Sequence, residues 1–121
     1  MAESNRRARV ERSLRDELAA LIIRGEIRDV TPGAVVVSRV QLSGDLGVAK
    51  VLVRHLAGDR AAAELELERL RAQAGPLRGR LGRALRLRAA PELRFAYDEG
   101  QDNATRIDEL LHEIATERKQ G

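Results

Sequence analysis

The chain has no cysteine, so it can form neither a disulfide nor a thiolate metal site. Aromatic residues are nearly absent, with one Phe, one Tyr and no Trp. That scarcity argues against nucleic-acid recognition by stacked aromatics on a sheet face, and leaves backbone and phosphate contacts as the favoured mode. No apolar run approaches the roughly 20 residues of a membrane span. The segment Met1 to Val10 lacks an apolar signal-peptide core. His55 and His112 stand alone, without the spacing of a metal-binding pair. Ser4, Ser13, Ser38 and Ser43 have neither a nearby His nor a G-x-S-x-G elbow. Asp98 and Glu99 are adjacent at a strand end, so they point apart and read as a solvated turn. The expectation is a soluble cytoplasmic monomer with no catalytic residues, no metal, no cofactor, no small-molecule substrate and no membrane contact.

What the chain does have is arginine, unevenly placed. Lys and Arg number 22 against 19 Asp and Glu. Seven arginines fall between Arg69 and Arg88, a stretch with no acid, so the remainder carries 15 basic against 19 acidic residues. Such a concentration is self-repelling unless an anionic partner neutralises it. A length of 121 residues fits one domain, expected over residues 5–115 with flexible termini at 1–4 and 116–121.

Within the arginine-rich stretch, Gly75 suits the stop of one helix and Pro76 the first position of the next. From there Leu77, Leu81, Ala84 and Leu85 share one sector and predict a buried stripe. The opposite face is built of Arg78, Arg80, Arg83 and Arg86 with Gly79 and Gly82, and Arg88 follows; Pro91 bars a helix beyond Ala90. Glycine inside a helix costs about 1 kcal/mol against alanine, so Gly79 and Gly82 need a reason. One reason is that small residues at Gly75, Gly79 and Gly82 let a phosphate backbone approach while the arginines grip it. The other is close packing on a neighbouring element beneath a solvated arginine face. Gly79 to Gly82 also matches the G-x-x-G backbone clamp of KH domains, a weak match inside a predicted helix.

The rest of the chain reads as alternating elements. Val10, Leu14, Leu18, Leu21 and Ile22 predict a helix over about Asn5–Arg24, ended near Gly25. Arg6, Arg7 and Arg9 at its start oppose the helix dipole; they are either a frayed, solvated end or a second contact with nucleic acid. Ala34–Leu42 and Val48–Leu56 predict two antiparallel strands, the second with Ala49, Val51 and Val53 on one face and Lys50, Leu52 and Arg54 on the other. Asp59 caps a helix over about Arg60–Ala74, striped by Leu67, Leu70 and Ala74 with Ala63 behind. Leu93, Phe95 and Tyr97 predict the core face of a third strand. Asp102 or Asn103 caps a last helix carrying Ile107, Leu110, Leu111 and Ile114.

Three segments carry a resemblance to the ribosome-binding factor A family: Val37–Val51 (V-S-R-V-Q-L-S-G-D-L-G-V-A-K-V), Leu81–Asp98 (L-G-R-A-L-R-L-R-A-A-P-E-L-R-F-A-Y-D) and Arg106–Leu111 (R-I-D-E-L-L). The resemblance covers about Arg9 to Leu111. It implies an α+β, type II KH-like fold of order α-β-β-α-α-β with an added C-terminal helix, its three-stranded sheet packed on the helices. The family's Ala-x-Gly kink corresponds to Gln73-Ala74-Gly75, which keeps the Gly and not the first Ala, and its Asp-Pro-Arg to Asp29-Val30-Thr31. The resemblance further implies binding to the 30S ribosomal subunit and its 16S rRNA, help with 5′-end maturation of that rRNA, and a part in cold adaptation. An alternative is a free-standing KH-type regulator that binds single-stranded RNA. A more distant one is a protein adaptor whose arginine face meets an acidic partner.

Overall fold

The computed structural model describes residues 2–56 and 59–100. The predicted last helix, its cap and the C-terminal tail lie outside the described residues. Within them the order is α1 (Ala2–Ile23), β1 (Val35–Leu42), β2 (Val48–His55), α2 (Arg60–Ala72), α3 (Ala74–Ala84) and β3 (Glu92–Tyr97). This is the α-β-β-α-α-β order of the expected KH-like fold. Strand β2 is central, antiparallel to β1 and parallel to β3.

Strand alternation builds the core. Val35, Val37, Val40 and Leu42 of β1 face inward, as do Ala49, Val51 and Val53 of β2, and Leu93, Phe95 and Tyr97 of β3. The step from Val37 to Val40 is three residues because Ser38 is an extra residue in a β-bulge: Val37 pairs with Val53 and Arg39 with Leu52. Ser38 Oγ donates to Asp98 Oδ2 at 2.6 Å, pinning the bulge to the end of β3. Asp98 is therefore buried and not part of a solvated turn; the Ser38 hydroxyl, and secondarily the Gly100 N–H, hold its carboxyl below the ordinary aspartate range. On the face opposite the core, Leu52 is buried as well, between the exposed Lys50 and the half-buried Arg54.

Helix α1 lies mainly against β1, while α2 and α3 lie mainly against β3. Leu14 and Leu18 of α1, Leu67 and Leu70 of α2, and Leu81 of α3 are almost fully buried between helices and sheet. The stripe predicted for α3 is narrower than expected: Leu77 and Leu81 are buried, Leu85 is half-buried and Ala84 is exposed. Helix α1 begins at Ala2, earlier than the predicted Asn5, and closes with Gly25 at φ 68°. There Glu26 N–H donates to Leu21 O at 2.9 Å and Gly25 N–H to Ile22 O at 3.2 Å, which is a Schellman motif. Glycine is required at this position twice over, since a Cβ would also lie 2.8 Å from Pro32 Cγ. Asp59 caps α2 as predicted, accepting from Ala62 N–H at 3.0 Å.

Candidate nucleic-acid interface

The joint between α2 and α3 is one residue, Gln73, and it differs from the predicted one. Helix α3 starts at Ala74, so Gly75 is its second residue and Pro76 its third. Gly75 does not have a positive φ, and a Cβ there would meet nothing within 4 Å. It is therefore not a left-handed helix stop. Pro76 is accommodated because the first N–H groups of a helix have no intrahelical partner; Leu77 N–H makes the first bond, to Gln73 O at 2.9 Å.

The other end of α3 also departs from expectation. The helix stops at Ala84, with Leu85 as its cap. Arg86 takes φ 54°, Leu87 N–H donates to Gly82 O at 2.9 Å and Arg86 N–H to Arg83 O at 3.3 Å. This is again a Schellman motif, with arginine in the place that glycine usually holds. Arg86 and Arg88 therefore lie in the α3–β3 loop and not on a helix face continuous with Arg80 and Arg83.

The arginines of the 69–88 stretch divide into those the fold uses and those it leaves exposed. Arg69 pairs at 3.1 Å with Glu66, a buried carboxylate that also accepts from Thr31 N–H at 3.0 Å. Arg71 donates through two nitrogens to Phe95 O, at 2.9 and 3.1 Å. Arg78 Nε donates to Ala90 O at 2.9 Å, and Arg80 pairs with Glu26 at 3.1 Å. Arg83, Arg86 and Arg88 are exposed, with no ion pair or hydrogen bond from the side chain among the described residues. Among the described residues only Arg69 and Arg80 are neutralised by carboxylates; Arg71 and Arg78 are held by neutral carbonyls and keep their charge. Arg83, Arg86 and Arg88 carry theirs with neither kind of partner among the described residues.

The glycines resolve differently from one another. At Gly82 a Cβ would lie 3.0 Å from Ala90 Cβ, so this glycine serves close packing of α3 on the loop before β3. At Gly79 a Cβ would meet Arg83 Nη1 at 3.3 Å, the end of a flexible side chain that lies over it. Gly75 alone of the three faces open space. The packing reading thus holds at Gly82, while Gly75 lies open to solvent.

Arg6, Arg7 and Arg9 are exposed on the first turns of α1, as helix and not as a frayed end. Arg6 lies at a hollow of about 360 Å³ that Arg78 and Arg88 also line, so the fold joins the two basic clusters. The β1–β2 turn supplies the far wall. It is held by Ser43 Oγ donating to Asp45 Oδ1 at 2.7 Å and Gly47 N–H donating to the same oxygen at 3.0 Å. The Ser43 bond first, then the Gly47 N–H, draw the Asp45 carboxyl below its ordinary range. That turn brings Leu46 to the hollow at φ 60°. The Ser43-x-Asp45 pattern is the sequence signal for this turn, but nothing in it announces a leucine in the left-handed region.

Elsewhere, Tyr97 Oη and His55 Nδ1 are 2.7 Å apart, with Arg60 4.6 Å over the tyrosine ring and paired to Glu99. The two aromatics of β3 are core residues and not a base-stacking platform. Among the described residues no cluster of three or more His, Cys, Asp or Glu is placed to hold a metal, and no helix is long and apolar enough to cross a membrane.

A family model described as ribosome-binding factor A matches residues 6–111. The chain belongs to the ribosome-binding factor A family. Among its relatives, the ribosome-binding factor A of Sorangium cellulosum is 46% identical over 111 residues, covering 90% of this chain and 88% of that protein. That of Parasynechococcus marenigrum is 39% identical over 122 residues, covering 99% and 90%. The crystal structure of the family member from Thermus thermophilus superposes with a TM-score of 0.59 at 29% identity, covering 75% of this chain and 94% of that one. A Thermus thermophilus homology model fitted into the cryo-EM map of a 30S complex gives 0.51 at 26% identity, over 72% and 93%. The family fold is thus the KH-like α+β fold described above, and the changed Gln73-Ala74-Gly75 and Asp29-Val30-Thr31 segments sit within it without altering its order.

Proposed function

We propose that this protein is a ribosome-assembly factor that binds the 30S subunit and assists maturation of 16S rRNA, including its 5′ end. The observation that carries this reading is the group Arg83, Arg86 and Arg88, exposed at the end of α3 without acidic partners among the described residues, in a chain of a family named for ribosome binding. The Thermus relative fitted into a 30S complex supports the choice of partner. Arginine forks suit phosphate oxygens, and each phosphate neutralised releases counterions. Arg78 and Arg80, tethered to Ala90 and Glu26, add charge at fixed positions; Gly75 and Gly79 leave room for the chain to pass, and Arg6, Arg7 and Arg9 extend the basic surface along α1.

Binding alone is the mechanism. A protein that prefers one rRNA conformation shifts the population of assembly states by its difference in affinity between them, with no bond made or broken. It does so as a cytoplasmic monomer, and its effect is greatest in the cold, where misfolded rRNA conformers escape slowly.

Sucrose-gradient sedimentation of cell extract tests the partner: the protein travels with free small subunits. Finding it only at the top of the gradient, or only with assembled ribosomes, contradicts the reading. Filter binding to naked small-subunit rRNA, an unrelated RNA and heparin tests the chemistry. Equal affinity for all three indicates an adaptor with a general polyanion surface.

A further inference from the structure

The hollow under Arg6 is unlike three other depressions among the described residues. Those on the opposite sheet face and beside α1 are walled chiefly by charged and polar side chains, with Glu64, Glu99, Asp98 or Glu11 among them. This one has an apolar wall of Val10, Leu42, Leu46, Leu87 and Pro91, with Arg6, Arg78 and Arg88 around it. Its single acid, Asp45, is turned into its own loop by Ser43 and Gly47. Its volume, about 360 Å³, falls in the range of about 300–1,000 Å³ typical of pockets for small organic groups. An apolar slot with three arginines among its lining residues fits a flat, weakly polar body attached to an anion.

The backbone points to the same place. Among the described residues three non-glycine residues have positive φ: Asp29, Leu46 and Arg86. Aspartate tolerates that region readily; leucine and arginine enter it at an energetic cost. Leu46 forms part of the wall of this hollow, and Arg86 immediately precedes Leu87, which forms another part. The β1–β2 turn contains Gly44 and Gly47, yet the left-handed position falls to Leu46. Partial packing of Leu46 on the core offsets some of that strain. Strained residues that the surrounding structure holds in place gather at ligand clamps. Arg78 is pre-positioned as well: its Nε is committed to Ala90 O, which leaves its terminal nitrogens as donors.

We propose that this hollow is a pocket for one unstacked nucleobase of single-stranded RNA, with Arg6, Arg78 and Arg88 on the flanking phosphates. The proposal rests on RNA being the ligand of this protein. It adds a place where the protein reads a base, at the junction of α1, the β1–β2 turn and the α3–β3 loop, away from the α2–α3 joint.

The test uses the full chain with a short oligoadenylate and an abasic ribose–phosphate chain of equal length. Stacking on an aromatic ring is worth about 5- to 150-fold per base, and a purely aliphatic wall belongs at the low end of that range, so the wild type should favour the oligoadenylate by about fivefold or more. Ala89 lines the hollow and is exposed, so Ala89→Leu fills the space without entering the core or removing charge. This variant should bind both chains equally, with the salt dependence of the wild type. Leu46→Gly relieves the turn and removes part of the wall; it should melt higher and lose most of the preference. The pocket is overturned if the wild type binds both chains equally, or if both variants keep its preference. Failure to bind either chain, or rRNA, would instead overturn RNA as the ligand, and with it the pocket.

Discussion

Helices α1 and α3 end in the same way and with different residues. Both close with a Schellman motif, Glu26 N–H to Leu21 O in one and Leu87 N–H to Gly82 O in the other, each at 2.9 Å. The left-handed residue is Gly25 in α1 and Arg86 in α3. The first end is tightly packed: a side chain on Gly25 would run into Pro32. At the second, Arg86 projects from an exposed loop and makes no side-chain bond among the described residues. Arginine in this conformation costs about 1 kcal/mol that glycine would not. The contrast teaches that backbone geometry sets the residue at the end of α1, whereas at the end of α3 charge is kept at the expense of backbone comfort. A cost borne at an exposed arginine points to something outside the fold that the arginine meets.

The largest expected effect comes from removing what holds the α3 end in place. Leu81 is 1% exposed beneath α3. Leu81→Ala should cost roughly 2–5 kcal/mol in denaturant unfolding and weaken RNA binding with it. A loss under about 0.5 kcal/mol, typical of surface sites, would show that α3 is not anchored through this residue.

Gly25→Ala tests the structural half of the comparison. The left-handed conformation with a Cβ costs about 1–2 kcal/mol, and the contact with Pro32 Cγ adds to it, so the melting temperature should fall while affinity for rRNA at fixed temperature stays as it was. An unchanged melt would mean the α1 end rearranges freely.

Arg86→Gly tests the other half and has the smallest effect on stability. It should stabilise the protein by roughly 0.5–1 kcal/mol, because glycine suits the position, while reducing affinity for rRNA. A gain in stability with no loss of affinity would leave the strain at Arg86 without a purpose.

Much of this fold is written in periodicity. The Leu14–Leu18–Leu21 spacing, the Asp59 cap and the Leu93–Phe95–Tyr97 alternation each appear in the structure as the sequence suggests. The bulge has a sequence trace too, in the three-residue step from Val37 to Val40 where a regular strand has two. What misleads is glycine used as punctuation. Gly75-Pro76 looks like a stop and a start, but both residues lie inside the first turn of α3, while the true stop carries an arginine. The candidate site is legible as a cluster of arginines, not as an arrangement. Sequence cannot show that Arg69 and Arg71 are taken up by Glu66 and Phe95 O, because those contacts depend on how α2 sits against Thr31 and β3. Nor can it show that Arg6 and Arg88, far apart in the chain, line one hollow.

The central claim is that uncompensated arginine at the end of α3, and not positive charge in general, binds rRNA. The opposite face of the sheet supplies the control: Arg39 and Lys50 are exposed there, and Arg94 pairs with Glu92 at 3.5 Å. The measurement is the slope of log affinity for small-subunit rRNA against log salt, for two triple variants of equal charge change. In Arg83→Gln, Arg86→Gln, Arg88→Gln the slope should flatten by about 2 to 3 units, at roughly 0.7 to 0.9 for each phosphate that is no longer neutralised. In Arg39→Gln, Lys50→Gln, Arg94→Gln it should change by less than about one unit. Equal flattening in the two variants would contradict the account, because it would mean that rRNA responds to the charge of the whole protein and not to this end of α3.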